Sequence, residues 1–192
     1  MGDSYTVGQG VQVAERFPHI TAALLRQQNI HLSDPQYIAM TGWTATNLQN
    51  AINQTSLGTY DVVSLLVGVN DQYQGLDTAG YRIRFTQLIN KAILLAGNNP
   101  KKVFILSIPD YSATPFTPVA VKARISSEID NFNAINKQIT LGYNIAYIDI
   151  TSLTREVVND PSLLAGDGLH YSGKEHQKWA ELLAPLIKAS LQ

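Results

Sequence analysis

The stretch YDVVSLLVGVND, residues 60–71, decides the fold. Between Val62 and Val67 it is a nearly continuous run of aliphatic residues, many of them β-branched. A run with no polar face predicts a strand that is buried on both sides, as in a parallel sheet covered by helices. Gly68 and Asn70 then follow, so the strand is expected to deliver small and polar residues to its carboxyl end.

Segments on both sides of this strand alternate between extended and helical patterns. We predict further strands over residues 36–42, 101–109 and 144–151. Helices are predicted over residues 11–28 (with Pro18 marking the first turn), 44–53 (capped by Thr44), 78–97, 121–142 and 173–190. This alternation predicts the α/β class, as a flavodoxin-like three-layer α/β/α sandwich with a parallel sheet. No repeat or linker divides the chain, so residues 1–192 are expected to form a single domain.

Composition excludes several classes of function. Of the 192 residues, 45% are hydrophobic and 15% are charged, which is typical of a soluble globular protein with one sizeable core. A net charge of −1 argues against nucleic-acid binding, and the absence of cysteine excludes disulfides and thiolate zinc sites. No apolar run approaches the roughly 18 residues of a membrane span. No signal peptide is visible, so localisation stays open between the cytoplasm and, with a signal upstream of Met1, the periplasm or secretion.

One candidate catalytic pair lies in the loop LLAGDGLHYSG, residues 163–173. Asp167 and His170 are three residues apart around Gly168, so the carboxylate can contact the imidazole within one turn. A serine nucleophile needs a base of this kind, and the base benefits from a carboxylate that fixes its tautomer. Taken alone, however, an Asp-x-x-His spacing more often marks a turn or a helix cap.

Three other positions at predicted strand ends carry a similar ambiguity. Ser4 lies in a Gly-Asp-Ser triplet at residues 2–4. The Asn70 amide could donate to a developing oxyanion, or it could belong to an Asn-Asp turn that closes the strand. Gly42 could expose its backbone N–H to a ligand, or it could serve only as a turn with positive φ.

The four blocks together are more specific than any one of them. Gly-Asp-Ser, Gly42, Gly-x-Asn-Asp and Asp-x-x-His occur in this order, and the pattern resembles the SGNH or GDSL-type serine hydrolase superfamily of esterases and lipases. Tyr5 stands where the family name has leucine. The resemblance implies a five-stranded parallel sheet between helices, no cofactor, no metal and a small-molecule ester as substrate.

The same resemblance assigns roles to individual residues. It implies that Ser4 is the nucleophile, that His170 is the general base and acid, and that Asp167 orients His170. The oxyanion hole would consist of the backbone N–H groups of Ser4 and Gly42 and the side-chain amide of Asn70. Asp3 and Asp71 would be structural neighbours, and the other histidines are interpreted as solvated or core-edge residues: His19, His31 and His176.

The substrate is less well determined. We expect an ester with a short acyl group, such as an O-acetylated carbohydrate, or a lysophospholipid-like molecule. Five aromatic residues are candidates for the substrate-binding wall, although packing of the surrounding loops explains them equally well: Tyr5, Trp43, Tyr73, Tyr111 and Phe116. The pattern also leaves a homo-oligomer open.

Two functions of other classes remain open. The first is a catalytically inactive α/β domain that binds carbohydrate or another small ligand. The second is a phosphotransfer domain that uses Asp3 or Asp71 with a metal ion. The second would need further carboxylates at strand ends, such as Asp110 or Asp149, and it gives no role to Ser4 or His170.

The chain departs from the family pattern at its start. The family serine follows the first strand of the sheet, whereas here only Met1 precedes Gly2. We therefore expect the first strand to be missing or truncated, with the other four strands in family order. Three explanations stay open: a late start of the sequence, another segment that fills the gap, and a rearranged sheet that displaces Ser4.

Overall fold

A computed structural model describes residues 1–191. Its sheet contains three parallel strands in the order β1 (Val63–Leu65), β2 (Val103–Leu106) and β3 (Ala146–Ile148). In the register of the sheet, Val63 lies opposite Val103 and Phe104 lies opposite Ala146. All four residues of β2 are buried, as expected for a central strand that is covered on both faces.

Helices connect the strands and cover the sheet. They are α1 (Ser4–Val7), α2 (Phe17–Arg26), α3 (Ala45–Gln54), α4 (Val69–Tyr73), α5 (Thr78–Leu95), α6 (Val119–Gly142), α7 (Thr151–Thr154) and α8 (Gly173–Ser190). Helix α2 packs on α8, whereas α3 and α6 pack on α5. The predicted α/β architecture is confirmed.

Two predicted helix starts have local explanations. Thr44 caps α3 as predicted, since its side chain accepts a hydrogen bond from Asn47 N while Asn47 accepts one from Thr44 N. Pro18 lies in the first turn of α2, which begins at Phe17 rather than at residue 11. Val13–Glu15 forms a separate 3-10 turn, so the helix predicted over 11–28 is shorter than its periodicity suggested.

The strands are also shorter than predicted. Strand β1 covers only the middle of residues 60–71, because Gly68 turns the chain with φ +131° and α4 begins directly after it. The strand predicted over residues 36–42 was wrong. That segment forms a single parallel bridge, from Ala39 to Gly2.

Met1 and Gly2 occupy the place of the first strand. Gly2 forms parallel bridges to Ala39 on one side and to Leu66 on the other. The Met1 ammonium donates to the Ser64 carbonyl at 2.8 Å, and Leu66 N donates to the Met1 carbonyl at 3.1 Å. The spatial order is therefore the residue 36–42 segment, Met1–Gly2, β1, β2 and β3. The first strand is truncated, and the sheet keeps its order around it.

Within residues 1–191, none of the helices combines the length and the apolarity that a crossing of the lipid bilayer requires.

Candidate active site

Ser4 is placed by a sharp change from strand to helix. The side chain of Asp3 caps α1 by accepting a hydrogen bond from Tyr5 N at 3.0 Å, so the helix begins directly after the truncated strand. A side chain at Gly2 would overlap Thr6 and the Leu66 carbonyl. Glycine is therefore required for the close approach that aims Ser4 at the carboxyl edge of the sheet.

A tight hairpin presents the histidine. Ala165 N donates to the His170 carbonyl at 2.8 Å, and Gly168 adopts φ +70° at the tip. Asp167 Oδ1 accepts hydrogen bonds from Leu169 N at 3.0 Å and from His170 N at 2.9 Å. One carboxylate oxygen thus fixes the turn, which leaves the other oxygen free for the imidazole.

The structure brings Ser4, His170 and Asp167 together in a continuous line. His170 Nδ1 lies 2.6 Å from Asp167 Oδ2, and His170 Nε2 lies 2.9 Å from Ser4 Oγ. Burial acts to raise the pKa of Asp167, but hydrogen bonds from the His170 ring and from the backbone of Leu169 and His170 outweigh it and hold that pKa below its usual value. The carboxylate is therefore ionised at neutral pH and can accept a proton from Nδ1; in that tautomer Nε2 can accept a hydrogen bond from the Ser4 hydroxyl.

The buried ring of Tyr5 lies beside the His170 imidazole. Only 3% of the residue is exposed, and the centroid of its ring lies 5.2 Å from that of His170. Tyr171 packs on the other side of Tyr5 at 5.9 Å. The Tyr5 ring therefore limits the rotation of the imidazole.

The Gly42 turn contributes a candidate hydrogen-bond donor. Gly42 adopts φ +83°, and a Cβ there would meet no atom within 4 Å, so the turn faces open space. Within residues 1–191, neither Gly42 N nor Ser4 N donates a hydrogen bond to the protein. Both N–H groups can therefore serve an external acceptor.

Asn70 is anchored beside the same turn. Its Nδ2 donates to the Trp43 carbonyl at 3.0 Å, which uses one N–H of the amide and orients the other. The neighbouring Asp71 accepts a hydrogen bond from Ala45 N at 2.7 Å. These two contacts connect the start of α4 to the start of α3. They fix Asn70 relative to the Gly42 turn, which directly precedes α3.

The five aromatic candidates separate into core and surface. Tyr5 and Tyr111 are buried, so neither ring is open to solvent, and their place in the substrate-binding wall stays a prediction. Trp43 is half-buried, whereas Tyr73 is 60% exposed and Phe116 is 47% exposed.

Two features near the site were not predicted from the sequence. Met40, two residues before Gly42, is 56% exposed. A single methionine in an apolar segment does not indicate from the sequence that its side chain is exposed beside the site. A Cβ built on Gly168 would lie 3.5 Å from Pro115 Cγ, so the Pro115–Phe116 segment lies against the histidine hairpin. The hairpin contact depends on tertiary packing that the local sequence does not encode.

Asp71, Asp110 and His176 have structural partners. Asp110 pairs with Arg155 at 2.8 Å, and Asp71 faces Arg84 at 3.5 Å in addition to its bond to Ala45. In the part of the chain that the structure describes, no three His, Asp or Glu side chains converge as metal ligands would. The interpretation of His176 as solvated or core-edge was wrong, because it is fully buried and accepts a hydrogen bond from Phe17 N at 3.2 Å.

Solved structures with the same fold include several hydrolases. The chain superposes on the lipase/acylhydrolase from Enterococcus faecalis with a TM-score of 0.75 at 18% identity, covering 98% of this chain and 93% of the other. For the psychrotrophic esterase EstA from Pseudoalteromonas sp., the TM-score is 0.69 at 17% identity, with coverage of 100% and 96%. For Axe2, an acetylxylan esterase from Geobacillus stearothermophilus, it is 0.69 at 19% identity, with coverage of 97% and 91%. At these identities the likeness establishes the fold.

No curated protein matches the sequence significantly. The sequence model of the GDSL-like lipase/acylhydrolase family matches residues 1–178, which is most of the chain. Together with the shared fold, this match supports esterase or acylhydrolase activity in general. The chain belongs to the GDSL-like lipase/acylhydrolase family.

Proposed function

We propose that the protein hydrolyses carboxylic esters through an acyl-enzyme formed on Ser4. The observation that carries this proposal is the line of two short hydrogen bonds from Asp167 Oδ2 through His170 to Ser4 Oγ. An isolated serine is a poor nucleophile at neutral pH, and a neutral imidazole with its Nε2 on the hydroxyl removes that limitation.

In the first half of the reaction, Ser4 Oγ attacks the ester carbonyl carbon. His170 Nε2 takes the hydroxyl proton as the new C–O bond forms, and Asp167 stabilises the resulting imidazolium. The tetrahedral intermediate then collapses, and His170 returns the proton to the departing alcohol. The products of this half are the free alcohol and an acyl group that is bonded to Ser4.

The carbonyl oxygen becomes negatively charged in the tetrahedral intermediate. The backbone N–H groups of Ser4 and Gly42 and the second N–H of Asn70 are the donors proposed to stabilise it. A single donor of this kind contributes about 3–4 kcal/mol to transition-state stabilisation in comparable sites. Because the Gly42 turn and Asn70 are anchored to each other, these donors are pre-organised.

In the second half, water replaces the alcohol. His170 Nε2 removes a proton from the water as its oxygen attacks the acyl carbon, and the second tetrahedral intermediate collapses with Ser4 as the leaving group. His170 gives the proton back to Ser4 Oγ. One ester and one water thus yield one alcohol and one carboxylic acid, and the enzyme is restored.

We further propose a short-acyl substrate: an O-acetylated carbohydrate first, and a lysophospholipid-like ester second. Tyr73 and Phe116 are exposed aromatic rings near the site, and such rings can stack on a sugar or cover a short acyl group. One enzyme among the structures with this fold, Axe2, supports the first choice: it is described as an acetylxylan esterase and, in a mutant form, as an acetyl-xylooligosaccharide esterase.

The test is a series of p-nitrophenyl esters with acyl chains from acetate to palmitate. We expect hydrolysis with kcat/KM highest for acetate or butyrate, and we expect Ser4→Ala to abolish it. Ser56→Ala is the matched control, since Ser56 is an exposed serine outside the site. Equal hydrolysis by Ser4→Ala and by the unmodified protein would contradict the acyl-enzyme, whereas a preference for palmitate would contradict only the substrate class.

Two further substrates distinguish the O-acetylated carbohydrate from the lysophospholipid-like ester. O-acetylated xylooligosaccharides and a lysophosphatidylcholine are compared under the same conditions, with release of acid as the readout. We expect Phe116→Ala and Tyr73→Ala to raise KM for the acetylated sugar with little change in kcat. Unchanged KM in both variants would contradict a role for these rings in binding.

A further inference from the structure

The turn of residues 40–43 presents the N–H group of Gly42. Trp43 N donates to the Met40 carbonyl at 3.2 Å, which closes a β-turn with Thr41 and Gly42 at its centre. Gly42 has φ +83°, whereas the φ of Thr41 is negative, and this combination is typical of a type II turn. The hydrogen bond of the turn itself uses Trp43 N, so the Gly42 N–H in the central peptide stays available to an external acceptor.

The tip of this turn has little packing to hold it. Residues 40–42 are exposed, and a Cβ on Gly42 would meet no atom within 4 Å. On the incoming side, the last sheet contact is the bridge of Ala39 to the truncated strand. On the outgoing side, the carbonyl of Trp43 accepts the hydrogen bond of Asn70. Three exposed residues therefore connect two fixed points.

One side-chain hydrogen bond connects the tip to the helix that carries Ser4. Thr41 Oγ1 donates to Gln9 Oε1 at 2.8 Å, although the two residues are 32 positions apart in the sequence. Gln9 follows Gly8, the residue that ends α1, and Gln9 N donates to the Ser4 carbonyl at 2.9 Å. The connection thus runs from Ser4 through Gln9 to the residue that directly precedes Gly42.

Two of the three proposed oxyanion donors lie at the ends of this connection, namely the backbone N–H groups of Ser4 and Gly42. The donors of an oxyanion hole must all lie about 2.7–3.1 Å from the same oxygen position. A displacement of about 1 Å in an active site can lower the rate by as much as about 100-fold. A contact that sets the spacing between two donors therefore affects the rate without touching the reacting atoms.

We propose that Gln9 and Thr41 are positioning residues whose hydrogen bond sets the spacing between the Ser4 and Gly42 N–H groups. This role rests on the proposed function, because the spacing matters only if an oxyanion forms beside Ser4. Both side chains are exposed, so water competes for the contact and its loss should slow the reaction by only about three- to tenfold. The loss of a donor itself has a larger effect.

A pair of variants at Thr41 tests the contact by its chemistry. Thr41→Val keeps the branched shape and removes the hydroxyl, whereas Thr41→Ser keeps the hydroxyl. With p-nitrophenyl acetate, we expect kcat to fall about three- to tenfold in Thr41→Val at nearly constant KM, and to be retained in Thr41→Ser. Thr46→Val is the matched control, since Thr46 is an exposed threonine in the first turn of α3.

The partner residue is tested in the same way. Gln9→Glu keeps a side-chain acceptor for the Thr41 hydroxyl, whereas Gln9→Met has a similar length and no strong acceptor. We expect Gln9→Met to lower kcat as much as Thr41→Val does, and Gln9→Glu to retain it. The double variant with Gln9→Met and Thr41→Val should be no slower than the slower single variant, because the same contact is lost only once.

The amide of Gly42 gives a readout that does not depend on hydrolysis. Thr41-Gly42 is the only Thr-Gly pair in the sequence, so labelling with ¹³C-carbonyl threonine and ¹⁵N-glycine selects this one amide in a carbonyl-correlated NMR spectrum. We expect one sharp signal in the unmodified protein and in Gln9→Glu. In Gln9→Met, the signal should shift and broaden, because the tip of the turn then exchanges between positions.

The results that would overturn the proposal are distinct from a failure of the proposed function. Absence of hydrolysis by the unmodified protein would overturn the proposed function, and this role with it. If the unmodified protein is active, equal kcat in Thr41→Val and Thr41→Ser would overturn the role of the contact alone. An unchanged Gly42 signal in Gln9→Met, or a rise in KM at constant kcat, would overturn it as well.

Discussion

The two ends of the sheet differ at the place that Met1 and Gly2 occupy between residues 36–42 and β1. At the carboxyl end, Ser4, Gly42, Asn70 and His170 are held by hydrogen bonds that link separate parts of the chain. At the amino end, Met1 and residues 31–38 and 59–64 line a cavity of about 510 Å³. The contacts of Met1, Gly2 and Asp3 with their neighbours are enough to aim Ser4 at the carboxyl edge of the sheet.

The junction between the two ends is short and specific. Gly2 bridges both neighbours, and Asp3 caps the helix that carries Ser4. Damage on the carboxyl side should therefore abolish chemistry and spare stability. Damage at the junction should lower stability as well as activity.

The largest effect is expected for His170→Ala. Loss of the general base should reduce kcat for a short-chain ester by a factor on the order of 10⁶, the magnitude seen when a triad member is removed. Tm should change little, since the hairpin is held by backbone bonds and by Asp167. His31→Ala, at an exposed histidine, is the matched control and should keep full activity. A residual activity within tenfold of the original would remove His170 from the mechanism.

The next effect is expected for Asn70→Ala. Removal of one oxyanion donor should lower kcat by about 10²–10³ while KM changes little, because the donor acts mainly in the transition state. Steady-state kinetics with p-nitrophenyl acetate measure both parameters. Asn53→Ala, at an exposed position of α3, serves as control. A rise in KM at constant kcat would show that Asn70 binds substrate instead of stabilising the oxyanion.

The third effect concerns the junction. Gly2→Ala would force a Cβ against Thr6 and the Leu66 carbonyl, and such overpacking costs about 1–3 kcal/mol. For a protein of this size, Tm should fall by about 2–4 °C per kcal/mol, with loss of activity from the shifted Ser4. Gly58→Ala is the control, because a Cβ there meets no atom within 4 Å. If thermal denaturation shows equal Tm for both variants, Gly2 does not fix the strand.

The last expected effect is a pH dependence at Asp3. Burial raises the pKa of Asp3 to about 7, with Asp71 adding to the rise and the Tyr5 N–H and the Met1 amino group opposing it. The stability that this group contributes is therefore complete below about pH 4 and is lost as the pH rises to about 7. Asp3→Asn keeps the cap but does not titrate.

Urea denaturation between about pH 4.5 and 8 measures this difference. The free energy of unfolding of Asp3→Asn, relative to that of the unmodified protein, should increase with pH by up to about 1.4 kcal/mol per pH unit and then level off above about pH 7. Parallel curves for the two proteins would show that Asp3 does not titrate in this range.

The site was more predictable from the sequence than the lengths of the elements. Each motif alone was ambiguous, and Ser4, Asn70 and His170 were selected because the order of the four motifs resembles a known hydrolase family. The extent of a strand depends on its partner, which is why residues 36–42 have the pattern of a strand but form only one bridge. A local pattern does not report how far a neighbouring segment pairs with it.

Burial of individual side chains was the least predictable feature. Tyr5 and Tyr73 are both aromatic residues close in sequence to candidate catalytic groups, yet one lies in the core and the other is largely exposed. His176 lies on an amphipathic helix, and its burial follows from the packing of α2 on α8. Such differences arise from tertiary contacts that a single sequence does not reveal.

The central claim, that Ser4 is an activated nucleophile, is tested most directly by covalent labelling with a fluorophosphonate. Intact mass and peptide mapping should show one adduct per chain, on Ser4, that is lost in Ser4→Ala and strongly slowed in His170→Ala. Retention of the adduct at the same rate in Ser4→Ala would contradict the claim. A folded protein that never labels would contradict it as well, and would favour a binding domain without catalysis.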